Sequence, residues 1–179
     1  MKYLIASDLH GSALYTEQLL ARFREEQADK LILLGDLLYH GPRNDLPEGY
    51  APKQVFAALN NYTERIICVR GNCDAEVDQM VLRFPILNDH RVLLLEDKPV
   101  LLTHGHHVYP GAPTSLPVEA VFFGHTHVPE DVTVHGVRYC NPGSVSIPKD
   151  GSVRGYLILE APFLIWKGLD GKILKDTQW

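Results

Sequence analysis

Three short apolar runs constrain this chain most: Tyr3-Leu4-Ile5-Ala6, Lys30-Leu31-Ile32-Leu33-Leu34 and Arg65-Ile66-Ile67-Cys68-Val69. Each is too short for a helix and lacks polar alternation, which reads as a strand buried on both faces. Each also stops at a polar turn, respectively Asp8-Leu9-His10-Gly11, Gly35-Asp36 and Gly71-Asn72-Cys73-Asp74. Between the first two runs, Ser12 to Gln27 places Leu14, Leu19, Leu20 and Phe23 at helical spacing, with Ser12 or Gly11 as the cap. Between the second and third, His40 to Pro52 is rich in Pro, Gly and Asp and predicts a long surface loop before an amphipathic helix near Gln54–Asn61. The repeating order of strand, polar turn and helix predicts an α/β fold that opens with parallel strands. Asp74 is expected to cap a helix after the third turn.

From about Arg91 the texture changes to short strands at close spacing: Val92–Leu95, Val100–Thr103, Val121–Phe123, Val132–Val134, Val137–Cys140, Tyr156–Leu159, Leu164–Trp166 and Ile173–Leu174. Turn signals such as Asp97-Lys98-Pro99, His135-Gly136 and Asp170-Gly171 separate them and predict antiparallel hairpins for much of this half. The expected architecture is two stacked mixed β-sheets flanked by helices. With 179 residues, 45% of them hydrophobic, one domain spanning 1–179 can bury a sizeable core. A loop over Gly105–Pro117, rich in Pro, is expected to border any site at the strand ends.

The formal charge of −5 leaves no basic stripe for a phosphate backbone, so no specific nucleic-acid partner is expected. Cys68, Cys73 and Cys140 are odd in number and have no framework spacing, which fits a reducing compartment. The amino-terminal apolar run breaks at Ser7-Asp8, too soon for a signal peptide, and no stretch approaches a membrane span. A soluble, cytoplasmic protein is expected.

Five segments share one logic: Asp8-Leu9-His10, Gly35-Asp36, Gly71-Asn72, Thr103-His104-Gly105-His106 and Gly124-His125-Thr126-His127. In each, an apolar strand ends and a metal-competent side chain follows at once, with Gly nearby for a tight turn. A lone histidine at a strand end is usually a hydrogen-bonded loop residue; the joint pattern points instead to a metal site. His40, His90 and His135 lack that context and are read as structural or exposed. Six to eight Asp, Asn and His ligands exceed the three or so that one catalytic zinc takes, so two divalent ions are the economical reading. Mixed oxygen and imidazole donors favour manganese, iron or zinc over calcium or magnesium, with nickel also admissible. Two ions roughly 3.5–4 Å apart can share a hydroxide and clamp phosphoryl oxygens during in-line attack.

These segments, in this order, resemble the pattern D-x-H, G-D, G-N-H-D/E, a lone His and G-H-T-H of the calcineurin-like metallophosphoesterase superfamily. The resemblance covers most of the chain. His40–Asn44, Leu46–Pro52, Arg70–Met80 and Asn141–Lys149 are further similar to small bacterial phosphodiesterases of that superfamily. It implies a four-layer α/β/β/α sandwich and manganese as the ion. It also implies that Asp8, His10 and His127 hold one metal, that Asn72, His104 and His125 hold the other, and that Asp36 bridges them.

One position departs from the pattern. Cys73 stands where many relatives have the His of G-N-H-D/E, the residue usually assigned to protonate the leaving group. A thiol is a poor substitute for imidazolium, so cleavage of esters with basic alkoxide leaving groups should be slow. Asp36, Asn72, Cys73 and His106 are thus the candidate catalytic residues, with His106, or else His107, as a replacement acid. The expected function is a metal-dependent phosphodiesterase acting on a small organic phosphodiester through a hydroxide shared by two ions. A phosphomonoesterase or nucleotidase on the same site is the alternative, as is a protein-interaction scaffold of the kind eukaryotic relatives provide. Exposed strand edges make a homo-oligomer conceivable.

Overall fold

The computed structural model describes all residues from Met1 to Trp179. In chain order the elements are β1 (Tyr3–Ala6), α1 (Ala13–Glu25), β2 (Lys30–Leu33), α2 (Pro52–Leu59), β3 (Ile66–Cys68) and α3 (Glu76–Gln79). There follow β4 (His90–Leu95), β5 (Lys98–Thr103), β6 (Ala120–Phe122), β7 (Pro129–Val134), β8 (Val137–Pro142), β9 (Gly155–Glu160), β10 (Phe163–Gly168) and β11 (Ile173–Gln178). They form a six-stranded sheet, β11-β10-β9-β1-β2-β3, and a five-stranded sheet, β4-β5-β6-β8-β7.

The period-2 alternation of a strand sorts the core into layers. Leu4 and Ala6 of β1, with Leu31 and Leu33 of β2, face Leu19, Leu20 and Phe23 of α1 and Val55 and Leu59 of α2. Their alternates Tyr3, Ile5 and Ile32 point the other way and meet Val100 and Leu102 of β5 and Phe122 of β6 between the two sheets. The outer face of the smaller sheet buries Leu101, Val121 and Tyr139 under Val118 and Phe123, with Val108 against them. Helices therefore cover the larger sheet, whereas the segment between β5 and β6 covers the smaller.

Several local expectations shift for identifiable reasons. Ser12 caps α1 as expected, its hydroxyl accepting the N–H of Tyr15 at 3.3 Å. Helix α2 starts earlier than the periodicity predicted because Pro52 sits in its first turn, where its missing N–H costs nothing. A 3-10 helix over Asn60–Arg65 then delivers the chain to β3. The third strand–helix repeat is abbreviated, α3 being a single turn. Asp74 does not cap it: the cap position is Ala75, whose N–H is taken by Asp78 at 2.9 Å, while Asp74 is buried elsewhere.

The later strands are less uniformly antiparallel than their spacing predicted. β4–β5 and β7–β8 are antiparallel hairpins, but β5, β6 and β8 run parallel at the centre of the sheet. The connection between β5 and β6 is long enough for a parallel return. Parallel pairing brings the carboxyl ends of β5 and β6, and so His104 and His125, to one edge.

Candidate metal centre

Every ligand-bearing turn leaves the carboxyl end of a strand. Asp8 and His10 follow β1, Asp36 follows β2, Asn72 follows β3, His104 follows β5, and His125 and His127 follow β6. The backbone is forced to present them: Asp8, His10, Asp36, His125 and His127 all adopt positive φ, between 48° and 66°. That left-handed conformation costs an L-residue roughly 1–2 kcal/mol, so the packing around each turn must hold it. Gly71 and Gly124 allow the closest approaches. A Cβ on Gly71 would collide with the carboxylate and backbone of Asp36, and one on Gly124 with Ser7 and Asp8.

The structure brings all seven predicted ligands together. In one group Nε2 of His10 and Nε2 of His127 lie 3.5 Å and 3.3 Å from Oδ1 of Asp8. In the other, Nε2 of His104 lies 3.0 Å from Oδ1 of Asn72 and 3.3 Å from Nδ1 of His125. Oδ2 of Asp36 stands between the groups, 3.7 Å from Nε2 of His10 and 3.4 Å from Nε2 of His104. Each aspartate keeps one oxygen for the fold: Oδ2 of Asp8 accepts the His125 N–H at 3.0 Å, and Oδ1 of Asp36 accepts the Cys73 N–H at 2.8 Å. The other oxygen is aimed at imidazoles, and Oδ1 of Asp8 is buried with no hydrogen-bond partner at all.

Tautomers test whether these residues fit cations. Nδ1 of His10 meets the carbonyl of Tyr39 at 2.8 Å, Nδ1 of His104 that of Leu34 at 2.7 Å, and Nδ1 of His127 that of Ile147 at 2.5 Å. A carbonyl only accepts, so each Nδ1 carries the proton and each neutral Nε2 presents a lone pair. Nε2 of His10 and of His127 then oppose each other at 3.1 Å, lone pair to lone pair. The Asn72 amide donates its Nδ2 to the Cys73 sulfur at 3.2 Å, which turns its oxygen toward the His104 lone pair. Acceptors facing acceptors in a buried site require positive charge between them. The carboxylates set the same demand for positive charge: burial works to lower the His104 imidazole, yet Asp36 and Asp8 push it up to about 9, so in the metal-free site a proton on Nε2 meets that demand in place of the lone pair that the neutral ring offers a cation. Oxygen and imidazole donors in this set suit divalent transition ions.

Four buried polar residues hold the turns in place. Asp74 ties the second turn to the third by accepting the N–H groups of Asp36, Leu37 and Gly71. The Ser144 and Ser146 hydroxyls both donate to the carbonyl of Asp8, at 2.9 Å and 3.0 Å. Asn141 donates to the Gly124 carbonyl and to Thr126, bracing the turn that carries His125 and His127. The buried hydroxyl and amide contacts of Asn141 and Ser144 make this segment a brace for both turns.

A cleft of about 440 Å³ opens beside the two groups, lined by His10, Asp36, Asn72, Cys73, Arg43 and Lys149 among others. Cys73 is half-buried there; burial and the Asp36 charge push its thiol up to about 12, so the sulfur stays protonated. His106 does not line the cleft, its ring centroid lying 5.5 Å from that of His104 and 6.1 Å from that of His125. Burial, then the charge of His104, lower its imidazole to about 4, which leaves it without an acidic proton near neutrality. Arg70 forms an ion pair with Glu76 at 3.5 Å. Sequence reasoning missed Lys149, whose only signal was its place after the Asn141–Pro148 turn.

The calcineurin-like phosphoesterase superfamily domain matches residues 1–162. The phosphodiesterase YfcE of Escherichia coli (strain K12) is 47% identical over 164 residues, covering 89% of this chain and 88% of that protein. The probable metallophosphoesterase YsnB of Bacillus subtilis (strain 168) is 28% identical over 169 residues, covering 89% of this chain and 83% of its own. A solved structure of YfcE, a phosphoesterase from E. coli, matches with a TM-score of 0.95 at 44% identity, over 99% of each chain. With the family domain spanning most of its length and the metal-competent turns in place, the chain belongs to the calcineurin-like phosphoesterase superfamily.

Proposed function

We propose that this protein is a phosphodiesterase that hydrolyses small organic phosphodiesters with the help of two divalent cations, manganese first among them. The observation that carries the proposal is the opposition of lone pairs in two adjoining groups, with the Asp36 carboxylate between them. In this reading Asp8, His10 and His127 would hold one cation, Asn72, His104 and His125 would hold the other, and Asp36 would serve both. Bound cations would supply Lewis acidity toward a phosphoryl group and an activated water near neutral pH.

The remaining work falls to the chain itself. The Cys73 backbone N–H fixes the Asp36 carboxylate, and the Cys73 sulfur fixes the Asn72 amide, so this residue orients both. Asn72 adds an oxygen donor without adding a negative charge. The Cys73 thiol offers no strong acid to a departing alkoxide. That deficit matters more for a monoester dianion than for a diester monoanion, which favours the diesterase reading over a monoesterase. An intact set of seven donors favours an enzyme over a scaffold. YfcE, the relative at 47% identity, carries the same activity in its name.

The experiment is hydrolysis of an aryl phosphodiester and the matching monoester by metal-stripped protein, with manganese titrated back and Asp36→Asn as the control. Manganese-dependent diester turnover that is lost in the variant is the expected result. No turnover of either ester with manganese, zinc, iron or nickel would shift the reading to a scaffold.

A further inference from the structure

The cleft beside the candidate metal groups carries two cations that no carboxylate neutralises. Arg43, in the loop between β2 and α2, and Lys149, between β8 and β9, are exposed and line it together with Asn44. Other cations are paired with carboxylates, Arg138 and Lys175 with Asp131, Lys167 with Glu26 and Arg70 with Glu76, and the unpaired Lys53 and Arg83 do not line this cleft. Two unpaired cations thus line a cleft whose one lining carboxylate, Asp36, is already directed at the histidines.

The shape of the space extends the argument. Arg43 and Asn44 also line a neighbouring groove of about 460 Å³ that reaches Ser146, Pro148 and Arg154. Arg154 is occupied there, stacked 4.1 Å from the Tyr15 ring centroid and donating to the Ser146 carbonyl. The same groove carries Asp45 and Glu48, of which Glu48 accepts the Tyr15 hydroxyl at 2.6 Å. The unpaired cations therefore lie on the metal side of this groove, in the cleft that Arg43 and Lys149 both line. No Phe, Tyr or Trp lines the cleft, so a nucleobase has only imidazoles and the Arg43 guanidinium to stack on there.

We propose that Arg43 and Lys149 form a subsite for a second anion, and that the preferred substrates are phosphodiesters with a carboxylate or phosphate on one alcohol arm. This rests on the phosphodiesterase reading and names its substrate class. The Arg43 guanidinium suits a planar carboxylate in two-point contact, and the Lys149 ammonium adds a point charge in the same cleft. The scissile phosphoryl group remains the business of the metal groups.

The test compares two aryl diesters of equal arm length, p-nitrophenyl 2-carboxyethyl phosphate and p-nitrophenyl propyl phosphate, on the manganese-loaded protein. The expected kcat/KM favours the carboxylate arm by about tenfold or more at low salt, as one charge-assisted hydrogen bond supplies, and the advantage shrinks as sodium chloride is added. Arg43→Gln and Lys149→Gln should each bring the ratio toward one, and Arg43→Lys should retain part of it. A wild-type ratio near one, with both diesters turned over, overturns the subsite. So does an equal loss in the variants on both diesters and on p-nitrophenyl phosphate, which would assign the cations to the scissile group. Should the wild type hydrolyse neither diester, the phosphodiesterase reading fails by itself. Calorimetric titration of the same two compounds then decides the subsite, equal affinities overturning it.

Discussion

The Asp74 carboxylate accepts the backbone N–H of Asp36 at 2.8 Å, so one buried acid fixes the conformation from which another reaches the centre of the site. Its contacts to Leu37 at 2.8 Å and Gly71 at 2.7 Å complete a three-way tie between the turns after β2 and β3. Asp74→Ala strands three buried N–H groups, each worth about 1–3 kcal/mol when left unpaired. A destabilisation of at least about 3 kcal/mol is expected from urea unfolding with an unchanged m-value. A shift below 1 kcal/mol would show that the tie is dispensable.

His125 holds φ at 66°, a conformation that glycine tolerates and alanine does not. In metal-free protein, His125→Gly should therefore be more stable than His125→Ala by about 1 kcal/mol. Both variants lack the imidazole, so the difference isolates the backbone. Equal melting temperatures for the two would mean that this turn carries no strain.

Acid stability should depend on a group far from the site. Burial works to raise the Asp131 carboxyl, but Arg138 and Lys175 outweigh it and hold it at about 2. The Arg138 Nε and Lys175 Nζ contacts are 2.8 Å and 2.7 Å. Because the folded value lies below the unfolded one of about 3.9, the cluster stabilises fully above about pH 4 and loses its contribution as pH falls through about 2. The stability gap between wild type and Asp131→Asn should narrow across that window. A gap constant from pH 5 to 2 would contradict the ion cluster.

Leaving-group chemistry follows from Cys73. With a thiol where an imidazolium would help a departing alkoxide, aryl diesters should turn over far faster than simple alkyl diesters under manganese. Comparable kcat values on the two classes would require another acid, and His106 would then need re-examination.

The site was legible in the sequence wherever the signal was local. A short apolar run closed by Asp, Asn or His needs only the residues themselves to be seen, and all seven such side chains converge. The signals that failed were those that depend on distant partners. Asp74 has the sequence context of a helix cap, and only the approach of the Asp36 turn recruits its carboxylate instead. The parallel pairing of β5, β6 and β8 was hidden because β7 intervenes in the chain but is placed at the sheet edge. Ser144 and Ser146 looked like ordinary turn residues, and their grip on the Asp8 carbonyl spans more than a hundred residues of chain.

The two sheets meet chiefly through apolar side chains, a contact that can slide. At their common rim, however, Asp8 and His10 come from the larger sheet and His127 from the smaller, while Asn72 comes from the larger and His104 and His125 from the smaller. Each cation that settles there would act as a rivet driven through both plates. Occupancy would then govern mechanical registry as well as chemistry, and the loaded protein should resist shear between its layers along the one border where catalysis takes place.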